Sequence, residues 1–219
     1  MTADDELPVT PGELNRDALP ALLGKDDPVI LEVGCNDGLH TREFLRLFPH
    51  STVYAFEPDP RVRLFDIAVS DVDGEIDFHM SNGAPTAECA AVLPKGWDYS
   101  GSIRKPTGHL DVHPWCTFDQ IIKVKTRTLD GWCQQHGVDH VDFIWADVQG
   151  AEGDVIRGGS RALAKTRYLY TEYSDRPLYE GQIDLRTLLA LLPDFTVVDR
   201  FAMDVLLKNT RYQAKLTGG

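Results

Sequence analysis

The segment from Val29 to Glu57 constrains the fold more than any other part of the chain, because it combines two strands, a glycine turn and a helix. Val29 to Val33 is a short, branched and apolar run, as expected for a buried parallel strand. Leu39 to Phe48 carries an apolar stripe at helical spacing. Thr52 to Phe56 is a second strand, followed directly by the acid Glu57. This order predicts a βαβ unit and, with it, an α/β fold.

The turn after the first strand contains two glycines and two polar residues, Gly34, Asn36, Asp37 and Gly38. A dinucleotide site requires G-x-G-x-x-G, whose middle glycine admits a pyrophosphate, and this turn lacks that glycine. Glu32 and Asp37 would repel a phosphate, whereas either suits the ammonium or sulfonium of S-adenosylmethionine. In nucleotide-binding folds, an acid about 20 residues after the glycine turn accepts hydrogen bonds from the ribose diol. The spacing from Gly38 to Glu57 is close to this. The turn therefore favours S-adenosylmethionine, and the alternative is a βαβ turn without a ligand.

Composition restricts the partners. The formal charge is −12, from 22 basic and 34 acidic residues, which argues against non-specific binding to nucleic acid or to an anionic membrane. The four cysteines have no CxxC spacing, so we expect reduced thiols. No apolar run is long enough for a bilayer, and the acidic start Met1 to Leu7 does not resemble a signal peptide. We expect a soluble, cytoplasmic protein, and its oligomeric state stays open.

The chain divides into an acidic N-terminal extension or lid at residues 1–27, with a possible helix at Leu14 to Leu23, and a single α/β domain at residues 28–219. Within the domain, Ser81 to Phe118 is rich in proline and predicts a long loop region on the substrate side. Trp97 and Trp115 in this region either stack on a substrate ring or belong to the core. His109, His113 and Cys116 have a spacing that also occurs in zinc sites, although the surrounding prolines oppose a helix that would present them together.

Several acids follow predicted strands. The predicted elements of the second half are the strand Ile121 to Arg127, the helix Leu129 to His136, the strand Val141 to Ala146, the helix Glu152 to Leu163, the strand Tyr168 to Tyr173, the helix Asp184 to Leu192 and the strands Phe195 to Asp199 and Met203 to Lys208. Ligands of open α/β sheets bind at the carboxyl ends of strands. We therefore expect convergence there of Gly34, Glu57, Asp71, Asp147 and Glu172. The last two strands are too close in sequence to be parallel, so they form an antiparallel pair.

One connection is anomalous. Leu64 to Val69 resembles a third strand, followed by Ser70 and Asp71, but only Pro58 to Arg63 separates it from the second strand. A parallel crossover needs a dozen or more residues. Either the third strand is not parallel to the second, or a segment found in related proteins is absent here. Gly74 to His79 alternates polar and apolar residues and predicts a further, half-exposed strand.

Five motifs in order resemble those of the FkbM family of S-adenosylmethionine-dependent methyltransferases: Glu32-Val-Gly-Cys-Asn-Asp-Gly38, Phe56-Glu-Pro-Asp-Pro60, Ala68-Val-Ser-Asp71, Thr128-Leu-Asp130 and Asp147-Val-Gln-Gly-Ala-Glu152. The resemblance implies a Rossmann-like class I methyltransferase domain, with a mostly parallel seven-stranded sheet, an antiparallel last strand and helices on both faces. There are two departures. Gln149 stands where the family often has glutamate, and the helix usually found after the Glu-Pro motif is missing.

The resemblance implies O-methylation of a small-molecule hydroxyl, often on a sugar or a natural product. The expected cofactor contacts are Glu32, Gly34, Asn36, Asp37, Gly38, Glu57, Pro58, Ser70, Asp71, Ser102 and Asp147. A hydroxyl is a poor nucleophile, so it needs a base or a metal ion. Asp147 is the leading candidate base, with His109 and His113 as alternatives. Asp147 and Glu172 together would supply carboxylate ligands for Mg²⁺.

Other interpretations remain open at this point. Glu152 is expected to cap the helix that it begins. Glu172, instead of binding a metal ion, could form an ion pair with Arg176. The acceptor is alternatively a protein side chain, or the chain keeps the fold and binds the cofactor without turnover.

Overall fold

The computed structural model describes residues 8–61, 66–87, 89 and 96–213. Residues 1–7, 62–65, 88, 90–95 and 214–219, which include parts of the predicted N-terminal extension, third strand and loop region, lie outside the described residues. The described strands are β1 (Val9–Thr10), β2 (Val29–Val33), β3 (Thr52–Phe56), β4 (Ala68–Ser70), β5 (Gly74–Gly83), β6 (Cys116–Thr128), β7 (Val141–Ala146), β8 (Thr166–Glu172), β9 (Phe195–Phe201) and β10 (Asp204–Asn209). The described α-helices are α1 (Leu19–Leu23), α2 (Leu39–Leu47), α3 (His109–Val112), α4 (Leu129–His136), α5 (Glu152–Gly158), α6 (Ser160–Ala164) and α7 (Leu185–Leu191).

Seven of the described strands form one sheet in the order β1-β9-β10-β8-β7-β2-β3. Strands β8, β7, β2 and β3 run parallel to one another, and β10 is antiparallel to both β8 and β9. This confirms the predicted Rossmann-like α/β class with an antiparallel last strand. Parallel strands β2 and β7 lie side by side, so their carboxyl ends open at the same edge of the sheet.

Helices cover both faces of this sheet, because side chains of each central strand alternate between two hydrophobic clusters. On one face Leu31 and Ile144 pack with residues of α4, α5, α6 and α7. On the other face Ile30 and Phe143 pack with residues of α1 and α2. Residues 8–27, the described part of the extension or lid predicted at residues 1–27, supply α1 to this second layer and β1 to the edge of the sheet.

The anomalous connection after β3 has a simple structural explanation. The predicted third strand, whose first residues lie outside the described part of the chain, appears as β4 and joins a separate three-stranded sheet in the order β4-β6-β5. It runs parallel to β6, so no crossover back to β3 is needed. The first of the two alternatives is therefore closer to the structure, although β4 is not a neighbour of β3 at all.

The predicted loop region at residues 81–118 is shorter than expected. Strand β5 continues to Gly83, β6 begins at Cys116, and α3 forms a single turn between them. The two strands pair with each other over most of their length, and this long-range pairing extends them beyond what their local sequence indicates.

The predicted helix from Glu152 to Leu163 is divided into α5 and α6 at Gly158 and Gly159. A Cβ at Gly158 would lie 2.1 Å from the carbonyl oxygen of Ser70, so the helix packs directly against the end of β4. This close contact explains both the glycine and the break. In the described part of the chain, no helix is long and apolar enough to cross a membrane.

Candidate functional site

The glycine turn is held between the ends of three neighbouring strands. The backbone amides of Gly34 and Cys35 both donate to the carbonyl oxygen of Phe56, at 3.0 Å each. Gly34 has φ 85°, and a Cβ on it would lie 1.8 Å from the carbonyl oxygen of Asp147. Glycine is therefore required at position 34 by the packing of β2 against β7, whether or not a ligand is bound.

Glu57 ties this turn to the chain that leaves β3. Its Oε2 accepts the backbone N–H of Asn36 at 2.8 Å, and its Oε1 accepts that of Asp59 at 2.9 Å. Burial raises the pKa of Glu57 to about 7, although the two backbone hydrogen bonds oppose this rise. A carboxylate has about four acceptor positions, so each oxygen retains capacity for a ligand hydroxyl.

A cavity lies beside this turn, at the carboxyl ends of β2, β3 and β7. One part of its wall is apolar and comes from the start of β4, from β5 and from the segment before α3: Ile67, Ala68, Val69, Phe78 and Ile103. The other part carries four acids, Asp37, Glu57, Asp98 and Asp147. No lysine or arginine is present among the described residues that line it. Three of these residues, Ala68, Val69 and Phe78, belong to the small sheet, which thus supplies part of the apolar wall.

A second cavity adjoins the first and shares Tyr99, Asp147 and Gln149 with it. Most of its remaining described lining residues are aromatic or polar, and two are aliphatic: Trp97, Ser100, His109, His113, Glu172, Ser174, Leu178, Tyr179, Gln182 and Met203. Trp97 lies in this wall, whereas Trp115 packs against Trp97 with ring centroids 5.0 Å apart and does not line the cavity.

Gln149 connects the acids at the junction of the two cavities. Its Nε2 donates to Oδ1 of Asp147 at 2.6 Å and lies 3.4 Å from Oε2 of Glu172. Burial raises the pKa of Asp147, and the hydrogen bonds from Gln149 oppose that rise. Burial, followed by the charge of Asp147, raises the pKa of Glu172 well above its usual range. Both carboxyl groups are therefore easier to protonate than exposed acids, and each is a stronger base once ionised.

The two candidate histidines line the second cavity, and their ring centroids are 4.9 Å apart. His109 is buried, and its Nδ1 has no hydrogen-bond partner among the described residues. Burial, followed by the charge of His113, lowers the pKa of His109 to about 4. His109 is therefore neutral near pH 7 and a weaker base than an ordinary histidine. His113 lines the same cavity at the C-terminal end of α3.

The sequence-predicted residues fall into three groups. Seven predicted cofactor contacts line the first cavity: Gly34, Asn36, Asp37, Glu57, Pro58, Ser102 and Asp147. The predicted catalytic and metal residues line the second: His109, His113, Asp147 and Glu172. Four further predicted cofactor contacts line neither cavity: Glu32, Gly38, Ser70 and Asp71.

The four residues outside the cavities have structural contacts instead, which do not support their prediction as direct ligand contacts. Glu32 is fully buried below the turn, where Thr41 donates to it and His40 lies 3.9 Å away. Gly38 adopts φ 72° as the N-cap of α2. Ser70 is buried, and Asp71 faces Arg157 at 3.6 Å, so the expected convergence of strand-end acids does not include Asp71.

Two other interpretations are corrected. Glu152 is not the N-cap of α5; its Oε1 accepts the backbone N–H groups of Val148 and Gly150 at 3.3 and 3.2 Å, and it thereby braces the loop that carries Gln149. Arg176 forms an ion pair with Asp111 at 3.6 Å and is not the partner found for Glu172. Among the described residues, no group of three or more His, Cys, Asp or Glu is arranged to hold a metal ion.

Tyr179 was not identified from the sequence. Its hydroxyl lies 3.1 Å from Oε1 of Gln149 and 2.9 Å from the carbonyl oxygen of Ser100, two acceptors that share its single hydrogen. It comes from an irregular segment before α7, and nothing in its local sequence distinguishes it from a core tyrosine. Phe78 and Ile103 were missed for the same reason, because only the tertiary fold brings them to the first cavity.

The fold and the paired cavities define a class I methyltransferase, and comparison with known proteins agrees. Residues 32–212 match the Methyltransferase FkbM domain, so the chain belongs to the FkbM methyltransferase family and is a methyltransferase. The predicted family resemblance is thereby confirmed. Methyltransferases of this family generally use S-adenosylmethionine.

Two known relatives differ greatly in how much of their own length this chain covers. The chain is 51% identical over 209 residues to the 2-O-methyltransferase NoeI of Sinorhizobium fredii, covering 87% of this chain and 83% of NoeI. It is 27% identical over 180 residues to the AMB antimetabolite synthetase AmbE of Pseudomonas aeruginosa, covering 68% of this chain but 8% of AmbE.

A solved structure supports the fold. The methyltransferase FkbM from Methylobacillus flagellatus KT aligns with a TM-score of 0.50 and 14% identity, covering 90% of this chain. The chain spans about half of that protein, 48% of its length. At this identity the likeness concerns the fold alone.

Proposed function

We propose that this protein transfers the methyl group of S-adenosylmethionine to a hydroxyl of a small molecule, with a saccharide 2-hydroxyl as the first acceptor to test. The observation that carries the proposal is the pair of adjoining cavities that meet at Asp147 and Gln149. A methyl donor in the first cavity and an acceptor in the second would have their reacting atoms at this junction. The relative NoeI is named as a 2-O-methyltransferase, which suggests the position of the acceptor oxygen.

The chemistry of the first cavity suits a sulfonium cofactor. Four carboxyl groups and no lysine or arginine line its described wall, an environment that favours a cation and opposes a phosphate. Glu57 has acceptor capacity for two ribose hydroxyls, and the apolar wall from Ile67 to Val69, with Phe78 and Ile103, suits a purine ring. Asn36, Asp37 and Asp147 would surround the polar end of the cofactor.

The second cavity suits a polyhydroxylated acceptor. Trp97 and Tyr99 present aromatic surface, while Glu172, Gln182 and Ser174 present hydrogen-bonding groups to hydroxyls. A net charge of −12 disfavours a nucleic acid as the acceptor.

When bound, S-adenosylmethionine supplies an electrophilic methyl group. The tasks of the protein are to align the acceptor oxygen, to exclude water and to receive the hydroxyl proton. Asp147 is the base in this proposal, because it lines both cavities and its Oδ1 is held by Gln149 at 2.6 Å. A carboxylate has about four acceptor positions, so Asp147 retains capacity to accept the proton of the acceptor hydroxyl.

Calorimetry with S-adenosylhomocysteine tests the cofactor site. We expect micromolar binding that weakens about 10- to 100-fold in Glu57→Ala, because charged hydrogen bonds contribute about 1.5–3 kcal/mol each. Binding only in the millimolar range, or binding that Glu57→Ala does not change, would contradict the proposal.

Mass spectrometry after incubation with S-adenosylmethionine tests the acceptor. Saccharides with a free 2-hydroxyl are compared with their 2-deoxy analogues, and a peptide mixture is included. Methylation only of the former supports the proposal. Methylation of peptides, or of none of these acceptors by a protein that binds the cofactor, would point instead to a protein methyltransferase or to a non-catalytic binding protein.

A further inference from the structure

The Gln149 side chain occupies the space between two acids that were expected to bind a divalent cation. Its Nε2 lies 2.6 Å from Oδ1 of Asp147 and 3.4 Å from Oε2 of Glu172. An amide NH₂ group has two hydrogens, one for each carboxylate. The positive ends of its N–H dipoles are therefore directed at the oxygens that a cation would need.

The acids at one end of this amide favour its orientation, and Tyr179 at the other end is compatible with it. The hydroxyl of Tyr179 donates to Oε1 of Gln149 at 3.1 Å. A reversed amide would direct its carbonyl oxygen at the carboxyl group of Asp147, which is electrostatically unfavourable once Asp147 is ionised.

The main chain of Gln149 is equally constrained. Its φ is 53°, a left-handed conformation that is unusual for a residue other than glycine. Its carbonyl oxygen accepts the hydroxyl of Ser102 at 2.7 Å, and Glu152 accepts the backbone amides on either side, those of Val148 and Gly150. Backbone strain of this kind persists only where surrounding contacts enforce it.

We propose that Gln149 is a positioning residue that takes the place of a divalent cation between Asp147 and Glu172, so that methyl transfer in this protein does not depend on a metal. The statement about methyl transfer rests on the proposed function, whereas the statement about cation binding does not. The donor set agrees with it, because the described residues provide no third His, Cys, Asp or Glu to complete a metal site here. To reach both carboxyl groups as they are arranged, Mg²⁺ would have to displace Nε2 of Gln149.

Substitution of this one amide changes the chemistry without a large change in shape. Gln149→Glu removes both N–H donors and adds a third carboxyl group, which suits a hard cation. Gln149→Met also removes the donors but adds no oxygen ligand, and it is the matched control.

The decisive measurement is binding of Mn²⁺, followed by electron paramagnetic resonance in the presence of S-adenosylhomocysteine. We expect no stoichiometric binding to the wild-type protein or to Gln149→Met, and binding to Gln149→Glu that is lost in the double variant with Asp147→Asn. Stoichiometric binding to the wild-type protein that Asp147→Asn abolishes would overturn the proposal. So would a folded Gln149→Glu variant that binds no Mn²⁺.

Turnover supplies a second and independent readout. The wild-type rate is expected to be the same, within about twofold, in EDTA and in millimolar Mg²⁺. Gln149→Glu is expected to lose about 100-fold or more in EDTA and to recover partly with Mg²⁺, whereas Gln149→Met does not recover. A wild-type rate that falls with EDTA and returns with Mg²⁺ would overturn the proposal even if the variants did not fold. Failure of the proposed function can be distinguished from failure of this inference. It would show as no cofactor binding and no product, with or without Mg²⁺. The Mn²⁺ measurement would still decide the role of Gln149.

Discussion

The carbonyl oxygen of Asp147 lies 1.8 Å from the position that a Cβ on Gly34 would occupy. The backbone amide of Asp147 also donates to the carbonyl oxygen of Val33 at 2.9 Å. The turn after β2 and the end of β7 are thus in direct backbone contact, and the two halves of the site cannot move apart independently. The position of the candidate base depends on the absence of a side chain 113 residues earlier in the chain.

Gly34→Ala is expected to destabilise the protein by about 3 kcal/mol or more, because it combines a left-handed φ with a backbone clash. The control is Gly137→Ala, where φ is 67° and no atom lies within 4 Å of the added Cβ. The control isolates the conformational part, about 1–2 kcal/mol. If urea unfolding showed the same loss of unfolding free energy in the two variants, the contact with Asp147 would not contribute to the cost of Gly34→Ala.

Asp147→Asn tests the base directly. We expect kcat to fall about 10²- to 10⁴-fold, since this is the usual contribution of a general base, while the affinity for S-adenosylhomocysteine changes only a few-fold. Glu172→Gln is the comparison, because Glu172 is bridged to the same amide but lines only the second cavity. A larger kcat loss in Glu172→Gln than in Asp147→Asn would reverse the assignment of roles.

Much of this fold follows from local sequence. The bounds of β2, β3, β7 and α4 agree with their predicted ranges, because each is a short apolar or amphipathic run between clear turn residues. What local sequence did not reveal depends on distant contacts. The second sheet requires β4 to pair with β6, and the break at Gly158 reflects packing against the carbonyl of Ser70.

The site shows the same division. Glu57 and Asp147 were identifiable because they directly follow strands whose carboxyl ends meet. Tyr179 and Phe78 were not, since their side chains reach the cavities from irregular or peripheral elements. Glu32 was placed correctly along the chain but lies below the turn, and alternation along the strand, not spacing from the glycines, decides which way it points.

Glu32 predicts a pH dependence of stability. Burial raises its pKa to about 8 from an unfolded value near 4.5. Below pH 4.5 the carboxyl group is protonated in both states, so its contribution is fully present there. Between pH 4.5 and about 8 the unfolded chain ionises while the folded protein retains the proton, so the free energy of unfolding falls by at most about 1.4 kcal/mol per pH unit.

Glu32→Gln is expected to remove this slope, so that the variant gains stability relative to the wild-type protein as the pH rises from 5 to 8. Urea unfolding at several pH values measures the difference. Glu75→Gln, at an exposed position on β5, is the control and should leave the slope unchanged. A difference between wild-type protein and Glu32→Gln that does not vary with pH would rule out the raised pKa.

Trp97 and Trp115 offer a paired test of the second cavity. Trp97→Leu should raise the KM for the acceptor about 3- to 10-fold, because an aromatic stack contributes about 0.5–1.5 kcal/mol beyond burial. The KM for S-adenosylmethionine should not change. Trp115→Leu removes a ring that packs behind Trp97 but does not line the cavity, and it should have the smaller effect on acceptor KM. If Trp115→Leu raised the acceptor KM more than Trp97→Leu, the acceptor would bind outside this cavity.

Arg104 fastens the segment before α3 to α5. Its Nε donates to Oδ2 of Asp154 at 2.7 Å and its Nη2 donates to Oδ1, while Asp154 is only 2% exposed. The backbone amide of Arg104 also donates to Oγ of Ser102 at 2.9 Å, and Ser102 holds the carbonyl of Gln149. Arg104→Met leaves the buried Asp154 carboxylate with Arg157, and we expect a loss of about 3 kcal/mol in unfolding free energy.

Arg104→Lys should recover little of this stability, because an ammonium group cannot reproduce the two-point contact. The control is Arg127→Met, since Arg127 and Asp73 form an ion pair at 3.2 Å with both side chains nearly half exposed. Such a pair contributes about 0–1 kcal/mol. Because the Arg104 side chain fastens to α5 the segment that carries Ser102, its loss should lower kcat beyond what partial unfolding explains, whereas Arg127→Met should leave kcat unchanged. If chemical denaturation and turnover showed the two arginine variants to be equivalent, the connection from α5 through Ser102 to the site would be refuted.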